Sequence, residues 1–261
     1  MSISKFELLL CIAFLSVVFS CSEKYEEKGF AVSASTSSED DTEKPDGIAN
    51  DSLILQSQPT DVLLTGYPQY RLTTIYKINY RRDSTTYIGE NDYYGGYEGD
   101  RAEGNAWHYN FMPGLEALTG YNMINVSHFN AETNASKNLF EKPVLMRTLY
   151  YPSFSKDTLN YQPVRRNYFL ASVYDEDTNK DGFINIKDLR RLYYFDINGS
   201  NKKALIPMNY SVVKSQYDQG IDRMYVFARL DADANGKVNK QESIHIFWVD
   251  LKNPLLTGRQ Y

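Results

Sequence analysis

Two twelve-residue stretches of this chain set oxygen-bearing side chains at alternating positions around a glycine. The first runs Asp177-Thr178-Asn179-Lys180-Asp181-Gly182-Phe183-Ile184-Asn185-Ile186-Lys187-Asp188, and the second Asp231-Ala232-Asp233-Ala234-Asn235-Gly236-Lys237-Val238-Asn239-Lys240-Gln241-Glu242. Both carry oxygen side chains at positions 1, 3, 5, 9 and 12, glycine at 6 and a branched apolar residue at 8. Alternate residues of a tightly curled loop aim at one centre, and the glycine permits the sharp bend. A hard dication such as Ca²⁺ takes six to eight oxygen ligands at about 2.4 Å. The ligand set expected in loop one is Asp177, Asn179, Asp181, the Phe183 carbonyl, Asn185 through water, and Asp188. In loop two it is Asp231, Asp233, Asn235, the Lys237 carbonyl, Asn239 through water, and Glu242. Each loop holds three carboxylates, so one bound dication leaves a single net negative charge. Glu242 is one methylene longer than Asp188 and can chelate with both oxygens, which predicts tighter binding at loop two.

These loops resemble the calcium loop of the EF-hand family. Their flanks depart from it. Met224–Leu230 and Ile244–Asp250, on either side of loop two, alternate with period two and are rich in β-branched and aromatic residues, as half-buried strands are. Tyr168–Tyr174 before loop one and Leu192–Asp196 after it also read as strands, with Ile186, Leu189 and Leu192 spaced for a helical turn between. The pattern favours a metal loop at the tip of each β-hairpin. The alternative is a paired EF-hand domain, in which Ile184 and Val238 would meet across a short β-bridge.

The elements that must position the loops repeat with them. Asp177 and Asp231, Gly182 and Gly236, Asp188 and Glu242, and Asp196 and Asp250 all lie 54 residues apart. A gapless offset of that kind marks two copies of one structural unit, about 168–207 and 222–261. The run Asp196-Ile197-Asn198-Gly199-Ser200 followed by Lys203-Ala204-Leu205 resembles the strand-turn-strand end of a TolB-type β-propeller blade. Residues 122–144 fit as a third, metal-free copy. The resemblance implies an all-β or mainly β fold, with antiparallel sheets of partial or small propeller type or an open sheet stack. A closed propeller usually needs at least four blades.

The ends suggest an address and a leash. Lys5 precedes an apolar run from Leu8 to Phe19 that stops at Ser20-Cys21, too short for a membrane span and of the right length for a signal peptide. The only cysteines are Cys11, inside that segment, and Cys21 just after it, so the exported chain keeps one thiol and no disulfide. The arrangement resembles a bacterial lipoprotein signal, 1–20, with Cys21 acylated as the first mature residue and the chain held to the membrane through it. Residues 21–60 read as a disordered acidic tether. From Ser22 to Thr60 nine acids face three bases, a surplus larger than the whole chain's net charge of −5. The acids Glu23, Glu26 and Glu27 resemble the sorting signal of surface-exposed Bacteroidetes lipoproteins. The remaining residues, 61–261, read as one β-rich domain without a basic stripe, so nothing suggests a nucleic-acid partner and none is expected.

Catalytic motifs are missing. His108, His128 and His245 show no metal-ligand spacing, and His245 reads as a packed strand residue. No nucleophile elbow, Walker loop or dinucleotide fingerprint is present. The segment Gly89–Asp100 sets Tyr93, Tyr94 and Tyr97 among glycines and acids, a composition suited to stacking on sugar rings. The sequence therefore points to a lipid-anchored, calcium-binding envelope protein, a non-enzymatic binding or accessory module of an outer-membrane assembly. A surface glycan-binding protein or glycoside hydrolase built on Gly89–Asp100 is the alternative.

Overall fold

The computed structural model describes residues 29–32, 48–50, 53–80, 85–89, 91–92 and 112–261. Cys21 and the expected signal segment, most of the tyrosine-rich stretch, and His108 lie outside the described residues. Among those described, every regular element is a strand. Three short strands, β1 (Gly29–Ala31), β2 (Ile48–Asn50) and β3 (Leu53–Leu55), precede β4 (Ser57–Leu64) and β5 (Tyr70–Tyr80). Then come β6 (Thr86–Ile88), β7 (Asn91–Asp92), β8 (Leu115–Gly120), β9 (Met123–Asn130), β10 (Ala135–Asn138) and β11 (Leu145–Pro152). A small hairpin of β12 (Asp157–Leu159) and β13 (Gln162–Val164) leads to β14 (Tyr168–Tyr174), β15 (Phe183–Asn185), β16 (Arg191–Asp196) and β17 (Lys203–Ala204). The chain ends with β18 (Tyr210–Asp218), β19 (Arg223–Leu230), β20 (Ile244–Asp250) and β21 (Thr257–Arg259).

The same four-stranded antiparallel order recurs three times: β4-β5-β9-β10, β11-β14-β16-β17 and β18-β19-β20-β21. The middle sheet is extended by β8 and β7 beyond β11, and β6 adds to β5. The expected hairpins are present, with Tyr168 opposite Asp196 in one and Met224 opposite Val249 in the other. The segment expected as a third copy forms β9 and β10, paired through Ser127 and Asn138. The three units stack as layers. Phe169, Ala171 and Val173 of β14 face a core shared with Leu72, Tyr76, Met123 and Val126 of the first sheet. Tyr168 and Leu170 of the same strand face a second core with Val212, Met224, Val226 and Val249 of the third sheet. This two-sided burial explains why β14 is buried at every residue and apolar but for Ser172, whereas β5 and β19, covered on one face, alternate. The fold is an open stack of three blade-like sheets.

Two expectations and one alternative give way. First, the span 21–60 is not structureless throughout: β1, β2, β3 and the first residues of β4 lie inside it, ahead of a domain expected to begin at 61. Phe30 and Leu55 are buried with Ile124, Leu145, Tyr174 and Ile184 in a third, smaller core. Gly29-Phe30-Ala31-Val32 is apolar enough to bury although the composition around it is polar and acidic. Second, the paired EF-hand is replaced by strands on both sides of each loop. Third, no helix forms between Ile186 and Leu192. The Asp188 carboxylate accepts the Asn185 N–H at 2.8 Å and closes a turn, after which β16 starts at Arg191.

Candidate metal centre

Each metal loop connects the second and third strands of its unit: β14 to β16 for loop one and β19 to β20 for loop two. The antiparallel pairing of those strands brings the two ends of each loop together, which sets positions 1 and 12 side by side.

Within the loops the same hydrogen bonds occur twice. Asp177 accepts from the N–H groups of Asp181 (3.1 Å) and Gly182 (2.8 Å), and Asp231 from those of Asn235 (3.1 Å) and Gly236 (3.0 Å). Asn179 Oδ1 accepts from Asp181 N–H, as Asp233 Oδ1 does from Asn235 N–H. The position-12 carboxylates also match. Asp188 accepts from Thr178 and Asn185 N–H, and Glu242 from Ala232 (2.9 Å) and Asn239 (3.1 Å). Asn185 and Asn239 each accept an N–H from the residue two further on. Backbone angles agree as well: φ is positive at Lys180 and Ala234, position 4, and at Gly182 and Gly236, position 6. Side chains of Asp and Asn that bond backbone two to four residues on are the force that curls such a loop. A carboxylate has about four lone-pair directions, so oxygens that accept an N–H still have capacity for a cation.

The two centres are not equal. In loop two the carboxylate oxygens of Asp231, Asp233 and Glu242 all lie within 4.8 Å of one another, a group able to hold a metal ion. Asp231 is buried, Glu242 half-buried and Asp233 exposed. In loop one, Asp177, Asp181 and Asp188 do not form such a group. Asp188 is fully buried, and its shorter side chain accepts from the Thr178, Asn179 and Asn185 N–H groups. Burial pushes the Asp188 carboxyl above its ordinary range, against the opposing pull of those donors. The three carboxylates of loop two could hold a hard cation, and loop one repeats the all-oxygen donor set and its hydrogen bonds without drawing its own three carboxylates together. Of the carbonyl positions, Phe183 and Lys237 both sit on exposed residues just past the bend.

One contact has no counterpart in the sequence reading. The Thr178 hydroxyl donates to the Gly236 carbonyl at 2.7 Å, joining position 2 of loop one to position 6 of loop two. Thr178 Oγ1 also accepts the Leu189 N–H at 2.9 Å, so one side chain ties both loops and the residues leading into β16. Ile184 and Val238 do not meet: Ile184 is buried opposite Phe30, and Val238 is exposed. A position-2 residue is outside the ligand pattern, and nothing in the sequence flags it.

The two described histidines, His128 and His245, take no part. His128 is buried, its Nε2 2.9 Å from the Ile197 carbonyl, and burial lowers its pKa. His245 bonds the Tyr210 hydroxyl through Nδ1 at 2.7 Å, in line with a packed strand residue. Tyr93, Tyr94 and Tyr97 lie outside the described residues. In sequence, Gly89–Asp100 belongs to the connection between β5 and β9, the first unit's equivalent of the metal loops.

No protein-family model matches the chain, and no curated protein shows significant similarity to it.

Proposed function

We propose that this chain is a lipid-anchored, calcium-binding protein of a bacterial cell envelope, acting as a non-enzymatic binding or accessory module of an outer-membrane assembly. The observation that carries the reading is the duplicated loop, two connections 54 residues apart built with the same hydrogen bonds and the same all-oxygen donor set. Calcium outside the cell is abundant, so modest affinity, about 0.1–1 mM in extracellular modules, is sufficient. Bound there, calcium supplies charge neutralisation and cross-linking of the loop ends, a structural clip on each hairpin tip. A switching role of the EF-hand kind depends on a helix pair that opens, and strands flank both loops. The acylated Cys21 expected from the signal segment would hold this domain at a membrane, with an outer-membrane protein as the expected partner.

Calorimetric titration of chelator-stripped protein is expected to give two calcium ions per chain, the tighter at loop two. Asp177→Ala and Asp231→Ala should each remove one. An absence of calcium heat at millimolar metal sinks the calcium reading. For the anchor, Cys21→Ser should abolish metabolic palmitate labelling and release the protein from membranes. Wild-type protein that is soluble and unlabelled would refute that part alone.

A further inference from the structure

We propose that loop one is a metal-dependent docking edge for the N-terminal strand, so that calcium decides how firmly residues 29–32 are fastened to the domain. The inference rests on the reading of loop one as a calcium site. What carries it is the double use of three residues. Phe183, Ile184 and Asn185 are loop positions 7 to 9, whose Phe183 carbonyl and Asn185 side chain are assigned to the cation. The same residues are β15, and β1 pairs with them antiparallel: Gly29 opposite Asn185, Phe30 opposite Ile184, Ala31 opposite Phe183. The pairing runs on into Val32, whose N–H donates to the Gly182 carbonyl at 3.0 Å. Alternation along an antiparallel ladder puts Phe30 and Ile184 in the same hydrogen-bonded phase as Val32 and Gly182.

The fit is close. Phe30 and Ile184 are buried together against Leu55, Ile124, Leu145 and Tyr174. A Cβ on Gly29 would lie 2.2 Å from the Ile184 carbonyl oxygen, so only glycine brings the two backbones this near. Among the described residues β15 has no other strand neighbour, and its shape depends on the loop that contains it. Without a cation that loop is held by the bonds of Asp177, Asn179 and Asp188 to its own backbone, a frame that a cation bridging its two ends would stiffen. A cation fixes the loop and presents the edge already formed, so less order has to be imposed when β1 docks. The opposite end of β1 is held without metal. Gly29 N–H donates to Asn122 Oδ1 at 3.0 Å, and Lys77 Nζ donates to the Gly29 carbonyl at 3.3 Å. Calcium therefore acts on the amides of Phe30 and Val32 and much less on that of Gly29. Loop two has no docked strand, since residues 237–239 form none and Val238 is exposed.

The test is residue-resolved amide hydrogen exchange on the full chain in detergent, with calcium or chelator, alongside calcium calorimetry on the same sample. Calcium at about 10 mM is expected to slow exchange at Phe30 and Val32 by roughly ten- to hundredfold, the factor mass action allows for dissociation constants of about 0.1–1 mM. Gly29 serves as the internal control. Asp177→Ala should abolish the effect, and Asp181→Asn, which keeps the side-chain shape, should weaken it if the alanine variant folds poorly. Calcium heat with unchanged exchange at Phe30 and Val32 overturns the docking edge and leaves the calcium reading standing. A calcium effect that survives in both variants also overturns it, because the protection then comes from elsewhere. No calcium heat at all removes both.

Discussion

Arg166→Met is expected to lower the stability of the domain by about 3–5 kcal/mol, read as a fall in the denaturant midpoint at unchanged slope. The guanidinium is buried and forked onto a buried carboxylate, Nη1 to Asp222 Oδ2 at 3.0 Å and Nη2 to Asp222 Oδ1 at 2.8 Å. Its remaining donors reach the Leu251 carbonyl at 2.8 Å and the Pro113 carbonyl at 3.0 Å. One side chain thus joins the residues ahead of β8, the start of β19 and the turn after β20, linking the middle and third sheets. Methionine fills much of the volume but leaves the buried Asp222 carboxylate without its partner, with the Tyr217 hydroxyl at 3.1 Å as its remaining side-chain donor among these contacts. It also strips a partner from two carbonyls. Breaking a buried pair from one side is costly because the other charge stays behind, whereas removing both is often close to neutral. Arg166→Met/Asp222→Asn should therefore recover part of the loss, asparagine being tolerated at the positive φ of Asp222. A single-mutant loss below about 1 kcal/mol, the range of exposed pairs, would show that the pair is solvated and not a tie between layers.

Gly236→Ala is expected to cost more than Gly182→Ala, although the two glycines occupy the same loop position. Both have positive φ, +71° and +87°, so alanine strains each backbone by about 1–2 kcal/mol. There the likeness ends. A Cβ on Gly182 meets nothing within 4 Å, while one on Gly236 falls 1.8 Å from the Thr178 carbonyl oxygen and 3.0 Å from the Asn179 nitrogen. Those are backbone atoms of the other metal loop and cannot swing aside. The loops have to part, and the Thr178 to Gly236 hydrogen bond goes with them, adding about 1–3 kcal/mol of overpacking and lost bonding. Melts of both variants in saturating calcium check this. Equal losses would mean that the loops do not touch.

Much of the architecture around the loops was legible because it is local. The hairpins β14–β16 and β19–β20 announce themselves through period-two runs, and the Asp196–Ser200 turn through its residue types, with Ser200 N–H donating to Asp196 Oδ1 at 2.8 Å. The loops were legible because side-chain oxygens two to four residues away dictate their curl. What escaped the sequence was decided at a distance. Four apolar residues in an acidic stretch read as tether until a partner edge more than 150 residues further on pairs with them. Ile186, Leu189 and Leu192 share a helical spacing, yet Ile186 is exposed and Leu192 sits in the core between the middle and third sheets. The local Asn185–Asp188 turn outcompetes the helix. The contact between the loops is a meeting of two units, which no single repeat encodes.

The pairing of β1 with β15 also orders events in time. A chain is made from its N-terminus at about 5–20 residues per second. Phe30 must therefore wait roughly 8–30 s for Ile184 to be synthesised, and the small core that holds them both cannot close earlier. The third sheet has no such delay, because each of its strands pairs with the next along the chain. Short-range hairpins assemble readily, whereas distant strands first have to surrender loop entropy. The first strand of the chain is thus among the last to be seated.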